Sequence, residues 1–372
     1  MLGEIGTFVR GNGMQKSDLV NSGFPAIHYG QLHTFYTNSA VETVSFVAPE
    51  FAVRLRKAEP GNLIVVTTSE DDEAVGKAIA WLGDTPVAIS GDAYIYRHSF
   101  DPKYVSYFFQ SNQFHEQKRR GITGTKVRRI SGESLATIKA PLPPIEIQQE
   151  IVRILDTFTE LEAELEAELE ARHRQYAYYR DSLLTFPEGG VRWATLGEVS
   201  VNLDSRRRPV TKAAREPGEF PYYGASGIVD YVSDFIFDGD YLLLSEDGAN
   251  LLARTTPIAF IASGKTWINN HAHVLEFETY TERRFVEFYL NSIDLAPYIS
   301  GGAQPKLNQT NLNCILVPRP DFSEQDRIVN ILDKFDALVN DLSNGLPAEL
   351  NARRKQYEYY RDQLLTFEEI GA

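Results

Sequence analysis

The sequence predicts an α+β protein: two domains of mixed α/β structure joined by two long antiparallel coiled-coil helices, with a pseudo-twofold internal repeat. Three observations carry this. RQYAYYRDSLLTF at 174–186 returns as KQYEYYRDQLLTF at 355–367, IVRILD at 151–156 as IVNILD at 328–333, and LGEI at 2–5 as LGEV at 196–199. The period, roughly 180 residues, is far beyond the roughly 20–50 of a solenoid repeat, so the duplicated unit is a whole domain with its helix. Lastly, each copy ends in apolar residues stepping by three and four, whereas the segments before them mix short apolar runs with turn residues. These features divide the chain into a first domain at 1–145, a central helix at 146–190, a second domain at 191–320 and a C-terminal helix at 321–372.

In the first domain GNLIVVTTS (61–69) and TPVAISGDAYIYR (85–97) read as strands joined by turns, and DPKYVSYFFQSNQFHEQKRR (101–120) as helical. In the second, GDYLLLSEDG (239–248) and TPIAFIASGKTW (256–267) read as strands, and TERRFVEFYLNSI (281–293) as a helix. The repeat offset drifts, and at 176 it brings Ser69-Glu70-Asp71 onto Ser245-Glu246-Asp247. The central helix carries a seam through Ile147, Ile151, Ile154, Phe158, Leu161, Leu165 and Leu169, continued by Tyr176, Tyr179, Leu183 and Phe186. The C-terminal seam runs from Ile328 and Ile331 through Phe335, Leu338, Leu342, Leu346 and Leu350 to Tyr357, Tyr360, Leu364 and Phe367. Pro347 is expected to kink or break that helix, because proline lacks the N–H and clashes with the preceding turn. Within the central helix ELEA occurs at 160–163, 164–167 and 168–171, a helix former with an acidic face or an element that adjusts length.

Net charge is −14, but it is unevenly spread. Residues 1–145 hold 15 basic and 14 acidic side chains and residues 191–320 hold 12 and 15, whereas the two helical segments hold 4 against 11 and 6 against 11. The globular parts are thus near neutral, and an acidic total does not exclude nucleic acid. A single cysteine, Cys314, excludes an internal disulfide, and its apolar setting LNCILVP predicts burial. The start LGEIGTF has no basic-apolar leader and no apolar run nears the ~20 residues of a membrane span, so a cytoplasmic protein with no membrane partner is expected.

No phosphate-binding glycine loop, dinucleotide fingerprint or paired-cysteine metal spacing is present, so no cofactor is expected. His271 and His273 in NNHAHVL share a strand face, as metal ligands can, but without a third ligand nearby a hydrogen-bonding role is favoured. The acidic run Glu70, Asp71, Asp72 and Glu73 reads as a solvated turn. Basic clusters are more informative. KRRGITGTKVRR at 118–129 supplies Lys118, Arg119, Arg120, Lys126, Arg128 and Arg129 without an acid, and RRRPVTKAAR begins with Arg206, Arg207 and Arg208. Such groups neutralise phosphates regardless of sequence. Base reading needs amides and cationic forks, and GGAQPKLNQTNLN offers Gln304, Lys306, Asn308 and Asn311. Aromatic turns with Gln31 (HYGQLHTFY, 28–36) and Tyr223 (PYYGASG, 221–227) hold corresponding places in the two copies.

With those residues in place, the chain resembles the specificity subunits of type I restriction-modification systems over nearly its whole length. The resemblance rests on the turn GGAQPKLNQTNLNCILVPRPDFSEQDRIVNILD (301–333), the helix closing in YYRDQLLTF and their duplication. It implies two target-recognition domains that bind double-stranded DNA at a two-part site, one half each, and no catalysis of the chain's own. It implies two modification subunits that methylate adenine N6 from S-adenosylmethionine, and restriction subunits, ATP-driven translocases and nucleases. It also implies that the paired helices set the spacer, the role ELEA would take. Val127 and Arg129 stand where the second copy has Gln304 and Lys306, so the domains are not expected to read the same bases. The alternatives are a specificity subunit of a methylation-only phage-defence system and, less favoured, a coiled-coil scaffold or a stand-alone DNA enzyme.

Overall fold

The computed structural model describes residues 1–372 apart from 188, 255, 302–304 and 368–372. It is a mixed helix and sheet protein of two compact units, one made of 1–166 with 350–372, the other of 167–349. Both divisions fall inside helices, in Ile145–Leu183 and in Leu346–Leu364.

In the first unit a five-stranded sheet runs in the order Gly6–Arg10, Ala93–His98, Leu63–Val66, Ala78–Trp81, Ser39–Ala40. Strand Leu63–Val66 is buried at every position, which is why it reads as an unbroken apolar run. Alternate residues face opposite ways. Leu63 and Val65 pack with Tyr104, Val105 and Phe108, while Ile64 and Val66 pack with Ile79, Trp81 and Ile95. A second sheet pairs Phe24–Ile27 parallel with Val87–Ile89. The start of the long helix buries Gln148, Ile151, Val152 and Leu155 against the first of those cores. This stripe includes Val152 and Leu155, which the coiled-coil seam omitted, because a helix lying on a globular core buries a wider face than a two-helix seam does. Farther along, Phe158 stacks on Tyr360 at 5.6 Å, and Arg354 reaches Glu162 at 2.6 Å and also Glu166. Numbering rises along one helix as it falls along the other, so this pair is antiparallel.

In the second unit a six-stranded mixed sheet has the order Val201–Asn202, Ala272–Glu276, Phe237–Ser245, Ala259–Ile268, Pro217–Gly224, Gly227–Val232. Helix Tyr280–Ser292 is capped by Thr279, whose hydroxyl accepts the Glu282 N–H, and packs on this sheet. The end of the long helix meets Phe322–Asn340 through Tyr176 and Tyr179, both in contact with Phe335. The second helical segment is not continuous: Phe322–Asn340 stops, and Leu346–Leu364 begins after a turn at 341–345. Pro347 stands in the first turn of the new helix, where its missing N–H costs nothing. Leu342, placed on the seam by its spacing, is in that turn and 81% exposed. Cys314 is also exposed, because it follows the short helix Gln309–Asn313 at its outer end instead of entering the strand behind it.

Within each unit the same backbone registers recur. Leu63 faces Tyr96 and Val66 faces Ala93, as Leu242 faces Leu275 and Ser245 faces Ala272. Ile27 lies parallel to Ile89 as Tyr223 does to Ile268. Asp156 takes Lys103 at 2.5 Å and the Tyr107 hydroxyl at 2.7 Å, and Asp333 takes Arg284 at 2.7 Å and the Tyr280 hydroxyl at 2.8 Å. By strand register Ser245 matches Val66, so Ser69-Glu70-Asp71 and Ser245-Glu246-Asp247 do not occupy matching places.

Candidate nucleic-acid interface

In the first unit the basic segment opens on helix Asn112–Lys118, whose start is capped by Ser111. Lys118 turns inward and is only 2% exposed. Its ammonium donates to the carbonyls of Glu73 and Val75, both at 2.7 Å, and sits over the Phe114 ring. Burial draws its pKa down to about 8, against the pull of Asp71, Glu73 and Asp72. The expected phosphate contact at Lys118 therefore fails: its stem fills the core and its charge is taken by backbone oxygens. Arg119 and Arg120 follow on one exposed turn.

Next comes a hairpin, Ile122–Thr123 against Arg128–Ile130, with Thr123 facing Arg129 and a third strand at Thr68–Ser69. Gly124 has φ +92, and a Cβ there would lie 2.1 Å from the Val127 carbonyl oxygen, so the turn requires glycine. Arg128 folds back to the Gly124 carbonyl at 2.6 Å and to Asp72 at 2.9 Å, which ties the hairpin down. Asp71 caps its own turn by accepting the N–H groups of Glu73 and Ala74. Lys126 at the tip and Arg129 on the outer face are exposed. The unit thus presents Arg119, Arg120, Lys126 and Arg129, and uses Lys118 and Arg128 internally.

The second unit repeats this backbone. Ser300 and Lys306 exchange two backbone hydrogen bonds, at 2.9 and 2.8 Å, and Gly301 has φ +94. Gln304 lies outside the described residues. Asn308 caps Gln309–Asn313 by accepting the Asn311 N–H at 2.9 Å, and its amide donates to the Ser300 hydroxyl. The Asn311 amide donates to the Tyr298 carbonyl at 2.8 Å. These two amides hold the loop's shape, and Asn308 remains exposed while doing so. Lys306 reaches Glu246 at 3.2 Å.

Of the arginine triplet, Arg206 is exposed over Phe237 and Arg208 is exposed with its carbonyl taken by Trp267. Arg207 is enclosed, bonded to Glu246 at 2.9 Å, Asp204 at 3.2 Å and the Ala272 carbonyl at 2.8 Å. Tyr223 is half-buried and stacked near Phe260, and burial raises its hydroxyl pKa. Gln31 accepts the His28 N–H at 2.9 Å and donates to Ser45, so it closes a helix cap instead of facing out.

Sequence reasoning missed Asp204 and Glu246, the acids around which the second loop is built. Buried His273 joins them, with Nδ1 2.5 Å from Asp204 and Nε2 2.7 Å from the Leu307 carbonyl. Burial pushes the Asp204 carboxyl up, yet the hydrogen bond and charge of His273, the Val274 N–H and Arg207 together hold it below its ordinary value. NNHAHVL carried the only sequence signal, and the hydrogen-bonding reading of His273 matches the geometry. Among the described residues no group of three His, Cys, Asp or Glu could hold a metal, and no helix is long and apolar enough to cross a membrane.

The sequence matches the type I restriction modification DNA specificity domain over residues 2–171 and again over 190–352. A putative type I restriction enzyme specificity subunit of Haemophilus influenzae is 39% identical over 49% of this chain, a match that spans about half, 48%, of that relative. The EcoR124I/EcoR124II specificity subunit of Escherichia coli is 35% identical over 71% of this chain and 70% of its own length. The fold is shared with the S subunit of M. genitalium, at 15% identity, TM-score 0.59 and coverage of 99% of this chain and 95% of that one. A chain from a structure describing complex assembly of the type I R-M system gives a TM-score of 0.63 at 17% identity over 98% and 96%. The duplicated match, each half laid over one of the loop-bearing sheets just described, shows that the chain belongs to the type I restriction-modification DNA specificity family.

Proposed function

We propose that this chain reads a two-part DNA site, one half with each unit, and directs adenine-N6 methylation and restriction by partner subunits. As a member of its family it is a DNA-recognition component of an enzyme complex and not a catalyst. The observation that carries the two-part reading is the repeated frame. Thr123–Arg129 and Ser300–Lys306 form the same pairing, each followed by a left-handed glycine and each set on the same strand register. Two copies of one frame with different side chains suit two different half-sites.

Division of labour follows from exposure. Arg119, Arg120, Lys126 and Arg129 in the first unit, and Arg206 and Arg208 in the second, supply sequence-independent phosphate contacts. Lys306 and Asn308 approach base edges in one half-site. The partners are two modification subunits, which bring S-adenosylmethionine, and restriction subunits, which bring ATP-driven translocation and cleavage. The ELEA segment sets the separation of the half-sites.

Reconstitution tests this. The purified chain with S-adenosylmethionine should transfer no methyl groups, and with its modification subunit it should direct methylation at a two-part site found by methylome sequencing. Turnover by the chain alone, or a single uninterrupted site, refutes the proposal.

A further inference from the structure

Deepening the proposal that the second loop reads bases, and resting on it, we propose that His273 is the loop's positioning residue: with Asp204 it forms an imidazolium clamp that fixes the Leu307 peptide between Lys306 and Asn308.

His273 is 1% exposed, so water cannot supply a missing partner. Its Nε2 faces the Leu307 carbonyl oxygen at 2.7 Å, which can only accept. Its Nδ1 faces Asp204 Oδ2 at 2.5 Å, and the same oxygen is 3.2 Å from Arg207 while Oδ1 accepts the Val274 N–H at 2.9 Å. A carboxylate ringed by donors is ionised and also only accepts. Both ring nitrogens therefore carry hydrogen, and the ring is a buried cation. A neutral ring would set one lone pair against an oxygen, and an unmade buried hydrogen bond is costly.

Among the described residues Asp204 is the one anion paired with the ring, and a chain of charges continues from it. Asp204 and Glu246 are the anions, with Arg207 and Lys306 as their further partners, and His271 with Asp247 form a separate pair at 3.1 Å beside them. Both backbone polar groups of Leu307 are held from inside: its N–H donates to the Glu246 backbone carbonyl at 3.0 Å and its carbonyl accepts from His273. The Leu307 side chain is itself buried. Lys306 and Asn308, on either side, leave the chain in directions set by that peptide. The first unit is built otherwise. Tyr94 faces Val65 where His273 faces Leu244, and Arg10 faces Tyr94 at the place of Asp204. An ionic clamp is thus confined to one half-site.

Asp204→Asn gives a signature that mere packing would not. Asn retains an oxygen for the Val274 N–H and offers an N–H to His273 Nδ1, so a neutral ring is now satisfied on both nitrogens and a protonated ring is not, while Arg207 gives up this contact and keeps Glu246 and the Ala272 carbonyl. In the reconstituted complex, wild-type and Asp204→Asn forms are compared across a series of pH values for methylation of sites altered by one base in either half. Relative to wild type, the variant should discriminate less at the second half-site on the acid side, by several-fold up to about a hundredfold, the range of one base contact. It should recover on the alkaline side, and the first half-site should not change. Independently, histidine-selective nitrogen NMR of the complete chain, with its seven histidines assigned, should show the His273 ring protonated on both nitrogens, a state absent in the variant. A neutral ring in the wild type, or parallel pH profiles, overturns the clamp. Lys306→Ala with Asn308→Ala separates the two layers: relaxed specificity there with none in Asp204→Asn overturns the clamp alone, whereas no relaxation in either removes the reading loop and the clamp together.

Discussion

Deleting residues 164–167 removes one ELEA tetrad from the middle of the long helix Ile145–Leu183. Four residues at about 1.5 Å each shorten it by ~6 Å, and four steps of about 100° leave a net rotation of roughly 40°. Local interactions should survive, because the tetrads are identical. Arg354 bridges Glu162 and Glu166, and in the shortened helix Glu170 takes the place of Glu166. Leu161 is then followed four residues on by Leu169, which keeps the seam. An exposed ion pair of this kind contributes about 0–1 kcal/mol, so even its removal would leave the fold standing. What changes is the geometry of whatever lies beyond the helix. One base pair advances about 3.4 Å and turns about 35°. The rotation corresponds to one base pair and the rise to between one and two, so the spacer should shorten by one with both half-site sequences unchanged. Methylome sequencing of a strain carrying the deletion reads this directly. Full activity at the original spacing would refute the ruler and leave the tetrads as a solvated acidic helix.

Alanine at Arg119, Arg120, Lys126 and Arg129 should weaken binding to all DNA sequences alike and lower the salt slope by about 0.9 for each phosphate no longer neutralised, as followed by titration at several salt concentrations; selective weakening at one half-site would contradict that assignment. Alanine at Lys306 and Asn308 should instead relax one half-site, at about 1–3 kcal/mol for each bidentate pair removed, in a single-base substitution series. Lys118 bears on folding and not on DNA. Its folded pKa, about 8, lies below the ordinary lysine value of 10.5, so between those values the unfolded chain binds more protons and this group adds stability as pH rises. Melting of wild type against Lys118→Met across that window should show the gain only in wild type, and parallel curves would refute it.

Much of the architecture was legible because it rests on periodicity. Runs such as LIVV at 63–66 and LLL at 242–244 announce strands covered on both faces, and the spacing from Ile151 onward announces a helix. The boundaries were less so. Helix breakage at 341–345 was marked by Pro347, yet the exposure of Leu342 depends on where the turn closes. The site was least legible of all, since a basic residue looks the same in sequence whichever way its stem points. Lys118 and Arg119 are neighbours, but the first ends a helix facing Phe114 and the second begins an exposed turn. The amides at 308 and 311 suited base reading by composition, and only the geometry reveals that they also cap and brace the loop. Asp204 had no signal, because its partner His273 is distant in sequence and adjacent only across the sheet.

The two loops also bear on how such a chain could change its target without losing its fold. What they share is backbone: a cross-strand pair, a glycine with φ of +92 or +94, and a capped turn led by Ser131 in one case and Asn308 in the other. What differs is side chains at fixed places, Arg129 against Lys306, Arg10 against Asp204, Tyr94 against His273. Backbone hydrogen bonds carry no sequence information, so this frame can be kept while its outward groups change. The constraint lies one layer down, because Lys306 is paired with Glu246, and Glu246 with Arg207. Replacing an outward cation in the second unit alone leaves a partly enclosed carboxylate short of a partner, whereas Arg129, on the outer face of its hairpin, has no such inner tie among the described residues. The first half-site should therefore tolerate single substitutions that the second accepts only in pairs.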